Sequence, residues 1–345
     1  MSMTKRIAKW DNARLLLIFC VVLGHVINNV RMDGEVMDRV YLFIYAFHMP
    51  AFVFLSGMFS KQAVQSYRYD KAFTFLLLYF VIKFSLFLMR MAVGKSPDMR
   101  LLYTVGIDWY ALAIFLFYLV MMFLQRFDKR YVIGAALLLG CMAGYDLTLG
   151  GKLVLARATV FFPFFALGFY WNGDALLAVS RRVWSKLLAA AVLAAAGWTA
   201  AMCYDDLKWL LPLLKGFAYR VLDKELFYFG GLYRLGIYAV ALLLTFAVLV
   251  LVPSVRGFWS VMGSRTMSVY ALHYSAITWL MSGMHIKKTM VKTMTEEQAN
   301  LWMVVITLAI VVVLSLKPFD WFVRLLSVPP LARTQATEPI EKAEG

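Results

Sequence analysis

The sequence predicts an all-α integral membrane protein, a bundle of about ten transmembrane helices with both termini cytoplasmic. Three observations carry this. Apolar residues make up 62% of the 345 residues and charged residues only 16%, with a mean hydropathy of +0.72, whereas a soluble domain carries roughly 25% charged residues. Apolar windows of about 17–22 residues, long enough to cross hydrocarbon, recur along the whole chain. Lysines and arginines divide unevenly between alternate loops.

The windows fall near residues 11–30, 40–60, 72–93, 109–125, 131–147, 154–171, 185–203, 232–252, 266–284 and 300–316. The fifth is the weakest, because Gly134, Gly140, Gly144 and Asp146 interrupt it. The first run is too long for a signal-peptide core and lacks a small-residue cleavage site, so it reads as a retained span. Trp10, Tyr41, Trp109, Trp171, Trp184 and Trp321 stand near window ends, as an interfacial aromatic belt requires. With the N-terminus cytoplasmic, segments on that side hold 18 Lys and Arg against 12 opposite. The net charge of +15 is therefore read as orientation, and no nucleic-acid partner is expected. Residues 1–330 form one transmembrane domain, and the polar stretch 331–345 reads as a disordered cytoplasmic tail. The loop from Tyr204 to Gly231 mixes aromatic and charged residues and either lies on the membrane surface or caps a cavity. Cys20, Cys141 and Cys203 have no regular spacing, so neither a disulfide framework nor a metal site is expected.

Within the first window, Arg14 and His25 are eleven residues apart. That is almost three helical turns, so both face one side, about 16 Å apart along the axis. Ionisable groups in a span are costly and face the bundle interior or a wet cavity. His48, in the second window, lies at a depth similar to His25 on what should be the neighbouring helix. Pro50 just after it frees backbone carbonyls and locally distorts that helix. Ser56 and Gly57 read as a close helix–helix contact. His273 in the ninth window reads as a structural histidine nearer the inner half. Asp33, Asp38 and Asp108 are outer carboxylates able to orient a histidine, with nothing to choose among them. Lys83 and Arg90 in the third window have no assigned role.

The segments DNARLLLIFCVVLGH and FHMPAFVFLSG resemble the first two spans of the membrane-bound acyltransferase 3 family, in particular its fucose 4-O-acetylase-like branch. The Arg-x10-His spacing of Arg14 and His25 is similar to that family's signature. DWYALAIF resembles its Trp-Phe-Leu segment, with Tyr110 where Phe is usual. ARATVFFPFFALGFY, residues 156–170, resembles its Arg-x3-Phe-Phe-Pro-Phe-Phe segment, and MGSRTMSVYALHYS, residues 262–275, its late Ser-x-x-x-Tyr-x-x-His segment. The loop 204–231 and the tail match nothing in that pattern.

The resemblance implies an O-acyltransferase of the cell membrane that moves an acetyl group from acetyl-CoA, or another acyl-CoA, to a hydroxyl of a cell-surface glycan. Histidine has the reference pKa for taking a hydroxyl proton near neutrality, so His25 is the expected general base. His48 is either a second acid/base or acceptor contact, or a helix–helix hydrogen bond. Arg14, always charged, is expected to grip the donor's phosphates or pantetheine carbonyls; its plainer role is orientation. Arg68 and Lys71, on the inner loop after the second window, are expected to dock the anionic nucleotide half of the donor, or else only to fix topology. Arg157 is expected at the site, toward the donor or as a structural cation. The competing class is a transporter or flippase using intramembrane Arg and His as a substrate or proton path.

Overall fold

The computed structural model describes residues 7–30, 35–96, 99–100, 106–146 and 154–329. Asp33 and the stretch 331–345 lie outside the described residues. Every ordered element among the described residues is helical. In chain order the main helices are α1 (Ala8–Val30), α2 (Glu35–Tyr45), α3 (His48–Gln65), α4 (Tyr69–Ala92), α5 (Trp109–Leu124), α6 (Lys129–Met142), α7 (Leu155–Tyr170), α8 (Gly173–Arg181) and α9 (Val183–Met202). After a loop of short turns come α10 (Gly230–Leu251), α11 (Phe258–Gly263), α12 (Thr266–Thr278), α13 (Ile286–Thr293), α14 (Glu296–Leu314) and α15 (Lys317–Ser327).

Each apolar window coincides with a helix, but the helices are not equivalent. Among the described residues, six are long and apolar enough to cross a membrane: α1, α2 and α3 taken together, α4, α9, α10 and α14. A seventh arises if α7 and α8, bent by 80° where they meet, form one broken span. The others fall short in length: α5 has 16 residues, α6 has 14 and α12 has 13, α12 running on into a π-helical turn at Trp279–Gly283. The bend between α7 and α8 has a local cause, since Asn172 caps α8 by accepting from the amide of Asp174 at 2.9 Å.

Only 11% of the apolar window of α9 and 22% of that of α4 is buried within the protein. Helices that keep so much apolar side chain on the outside need a lipid solvent. By contrast 61% of the α1 window is buried, and α1 touches α2, α3, α11, α12, α13 and α14. Two apolar cores result, one around α1 with α10 and α14, the other between α4, α5 and α7. Met49, Phe52 and Tyr270 pack against both, so the seam between the cores runs along α3 and α12.

Three local features fix how these helices meet. Gly57 of α3 and Gly168 of α7 face each other's helix so closely that a Cβ on Gly57 would strike the Phe165 carbonyl and one on Gly168 the Phe54 carbonyl. Gly57 thus forms a close helix contact, while Ser56 beside it turns to a cavity. Pro50 sits in the first turn of α3, where its missing N–H costs nothing, and the break lies just before it at Ala46–Phe47. The first turn of α1 is tied to the far end of α10: Lys9 Nζ donates to the carbonyls of Val250 at 3.2 Å and Val252 at 2.6 Å. Asn12 Nδ2 donates to Pro253 and Val255, and its Oδ1 accepts from Ser260. Cations and amides there satisfy carbonyls that the helix end leaves open.

Candidate active site

Arg14 and His25 project from α1 into two cavities that share a wall. The cavity at the Arg14 end holds about 240 Å³. Arg14 donates through Nη1 to Asp11 Oδ1 at 3.2 Å and stands 4.3 Å over the Phe59 ring. Apolar and aromatic side chains supply most of the remaining wall, with a polar spot where the Ser56 and Tyr110 hydroxyls meet at 2.6 Å. The cavity at the other end, about 180 Å³, is lined by His25, His48, Arg157, Lys215 and Tyr274 among others. Met49 lines both.

The structure therefore brings together His25, His48 and Arg157, three of the expected site residues, and sets Arg14 about three turns away on the same helix face. His48 is 3% exposed. Its Nδ1–H donates to the Ile44 carbonyl at 2.7 Å across the α2–α3 break, which satisfies a carbonyl freed there and leaves Nε2 as an acceptor. Arg157 lies 4.8 Å over Phe217 and 5.7 Å over Trp109, cation–π contacts that accommodate a half-buried guanidinium.

His273, which the sequence placed nearer the other end as a structural residue, stands beside His25, their ring centroids 5.3 Å apart. Its Nδ1 lies 3.1 and 2.9 Å from the Val269 and Tyr270 carbonyls. Carbonyls only accept, so the ring proton is on Nδ1 and Nε2 carries the lone pair. That Nε2 is buried and has no hydrogen-bond partner among the described residues, which leaves it an acceptor facing the His25 ring's surroundings.

Part of the loop 204–231 caps this cavity: Leu214 and Lys215 line it, and Lys215 Nζ sits 4.9 and 5.3 Å over Tyr41 and Tyr45. Arg234, 1% exposed on α10, holds the loop by donating to the Leu213 carbonyl and to the Phe217 carbonyl at 2.8 Å. Between them Gly216 turns the chain with φ +77°, a conformation that favours glycine. Burial pushes the Tyr219 phenol up to about 12, so it stays protonated and donates to the Cys141 carbonyl at 2.7 Å. Arg234 was detectable in the sequence as a cation within an apolar window. The approach of Lys215 was not.

A third cavity, about 270 Å³, shares Gly106 and Tyr274 with the His25 cavity. Lys83 and Asp108 meet there at 2.8 Å with side chains 11% and 3% exposed, so Asp108 pairs with a lysine. Arg90 and Lys95 also line it. Asp38 is on α2 and does not line the His25 cavity. Arg68 and Lys71 stand at the α3–α4 turn and line none of these cavities; Arg68 binds Asp70 through Nε at 3.1 Å and Nη2 at 2.7 Å. Among the described residues, no group of three or more His, Cys, Asp or Glu is arranged to hold a metal ion.

A helical membrane bundle with a guanidinium cavity and a histidine cavity meeting at one side chain has the parts of a membrane group-transfer enzyme. A family model described as an acyltransferase domain matches residues 7–317, nearly the whole chain, and the protein belongs to this acyltransferase 3 family of membrane acyltransferases. No curated protein and no solved structure matches the chain.

Proposed function

We propose that the protein is an O-acyltransferase of the cell membrane, close to the fucose 4-O-acetylase-like branch. It moves an acetyl or related acyl group from acyl-CoA to a hydroxyl of a cell-surface glycan. In this reading the chain crosses the bilayer ten times with both termini cytoplasmic. The shorter helices α5, α6 and α12 then cross within the bundle, and the Arg14 cavity opens inward.

The donor's phosphates or pantetheine carbonyls meet Arg14, and the acyl arm extends along α1 past Met49. The acceptor hydroxyl comes from the opposite side to His25. His25 takes the hydroxyl proton as the oxygen attacks the thioester carbonyl; the new C–O bond forms, the C–S bond breaks, and CoA leaves as the thiolate and takes up a proton. His273, with its proton fixed on Nδ1, offers Nε2 to a neighbouring N–H and so positions His25. His48 is a second polar contact for the acceptor. Arg68 and Lys71 meet the nucleotide half of the donor at the inner surface.

The observation that carries this reading is the sharing of Met49 by the two cavities into which Arg14 and His25 project. A span of about 16 Å between those residues suits an extended thioester arm. The test is acetyl transfer by purified protein from acetyl-CoA, together with mass analysis of surface glycans from cells with and without the gene. An added acetyl that disappears with His25→Ala is the expected result. Unchanged glycans and no consumption of acetyl-CoA would overturn the reading.

A further inference from the structure

We infer that the acceptor is acidic: the His25 cavity and the cavity beyond Tyr274 form one anion-selecting subsite for a carboxylate- or phosphate-bearing sugar. The inference rests on the proposed function and names the substrate class of that same site.

The two cavities adjoin through Gly106 and Tyr274, and together their described lining carries five cationic side chains, Arg157, Lys215, Lys83, Arg90 and Lys95, against one carboxylate, Asp108. Asp108 is engaged by Lys83 at 2.8 Å. Arg157, Arg90 and Lys95 each have a neutral group as a contact, which solvates a charge without cancelling it. Arg157 lies over two aromatic rings. Arg90 Nε donates to the Ser96 carbonyl at 3.1 Å, and Lys95 Nζ donates to Ser282 Oγ at 2.6 Å. Like charges gathered along adjoining cavities repel one another, less strongly at Lys95, which is exposed to solvent, and a bound anion relieves that cost. Lys95 and Arg90 flank the third cavity, whereas Arg157 shares the cavity of His25. An acceptor spanning both would set its anionic group among the cations and its hydroxyl at the histidine. The Arg14 cavity, with one guanidinium and mainly apolar walls, has no such excess.

The test compares three methyl glycosides of one hexose, as the neutral sugar, the uronic acid and the 6-phosphate. Each is measured for affinity to the purified full chain and for acetyl transfer from acetyl-CoA. The expected result is that one charged glycoside binds at least about tenfold more tightly than the neutral one; the carboxylate and phosphate arms say which. In Arg90→Gln/Lys95→Gln that ratio falls toward one. Equal affinities for all three in the wild type overturn the inference, as does a variant that weakens acetyl-CoA binding and leaves the charged-to-neutral ratio intact. Preferential binding of a charged sugar with no acetyl transfer leaves the anion subsite standing and overturns the acyltransfer reading instead.

Discussion

The Arg14 and His25 cavities are of similar size, and α1 and α3 contribute to both, yet they are built differently. Around Arg14 the walls are apolar and aromatic, and the guanidinium is part-exposed and steadied by Asp11 and the Phe59 ring. Around His25 two buried histidines and a half-buried guanidinium are each held by a backbone or ring partner: His48 on Ile44, His273 on Val269 and Tyr270, Arg157 on Trp109 and Phe217. The first arrangement tolerates a long, flexible guest whose charge rests at the rim. The second holds donors and acceptors in set directions, as bond-making requires. In the proposed reading, that difference assigns donor binding to one end of α1 and bond-making to the other.

Substitutions at the two ends of α1 should have different effects. His25→Ala should have the largest effect, a loss of about 10²–10⁴-fold in kcat, the range for removing a general base, read with saturating acetyl-CoA. Wild-type turnover would remove the chemical role of that end. His273→Ala should lower kcat by about 10–100-fold, the usual range for losing the group that orients a working imidazole. Its pH–rate profile should move with it, whereas a packing defect would lower the rate at every pH alike. Arg14→Ala should act on binding, raising KM for acetyl-CoA about tenfold with a smaller change in kcat, the pattern of a lost ground-state contact. A large fall in kcat at unchanged KM would assign Arg14 to the chemistry. Arg68→Ala and Lys71→Ala should be the mildest, raising that KM about two- to threefold at low salt and less at high salt, since exposed charges are screened. A salt-independent effect would move the docking site of the donor elsewhere.

Hydropathy alone located a helix in every window, because a lipid-facing helix must advertise itself in composition. It could not show which helices are short or broken. At the 80° turn after Tyr170 the Asn172 side chain caps the next helix, and at the gap before His48 the ring of that histidine takes up a freed carbonyl, both local details that hydropathy does not register. Pro50 did mark a distortion, since the α2–α3 break at Ala46–Phe47 lies one turn before it, whereas α7 runs on through Pro163. At the site, Arg14 and His25 were legible because both lie on one helix, where spacing is geometry. The partnership of His25 with His273 and Lys215 joins segments some 190–250 residues apart; it depends on how α12 packs and on Arg234 tying down a loop, which no periodicity encodes.

The tether between Lys9 and Val252 spans 243 positions of chain. During synthesis α1 emerges first, with its ammonium and the Asn12 amide still lacking the carbonyl acceptors that later receive them. Those acceptors exist only once the ribosome has passed Val252 and Val255. Closure of the bundle is therefore a late event in biogenesis, and a chain halted before α10 leaves its first helix with an unsatisfied cationic end.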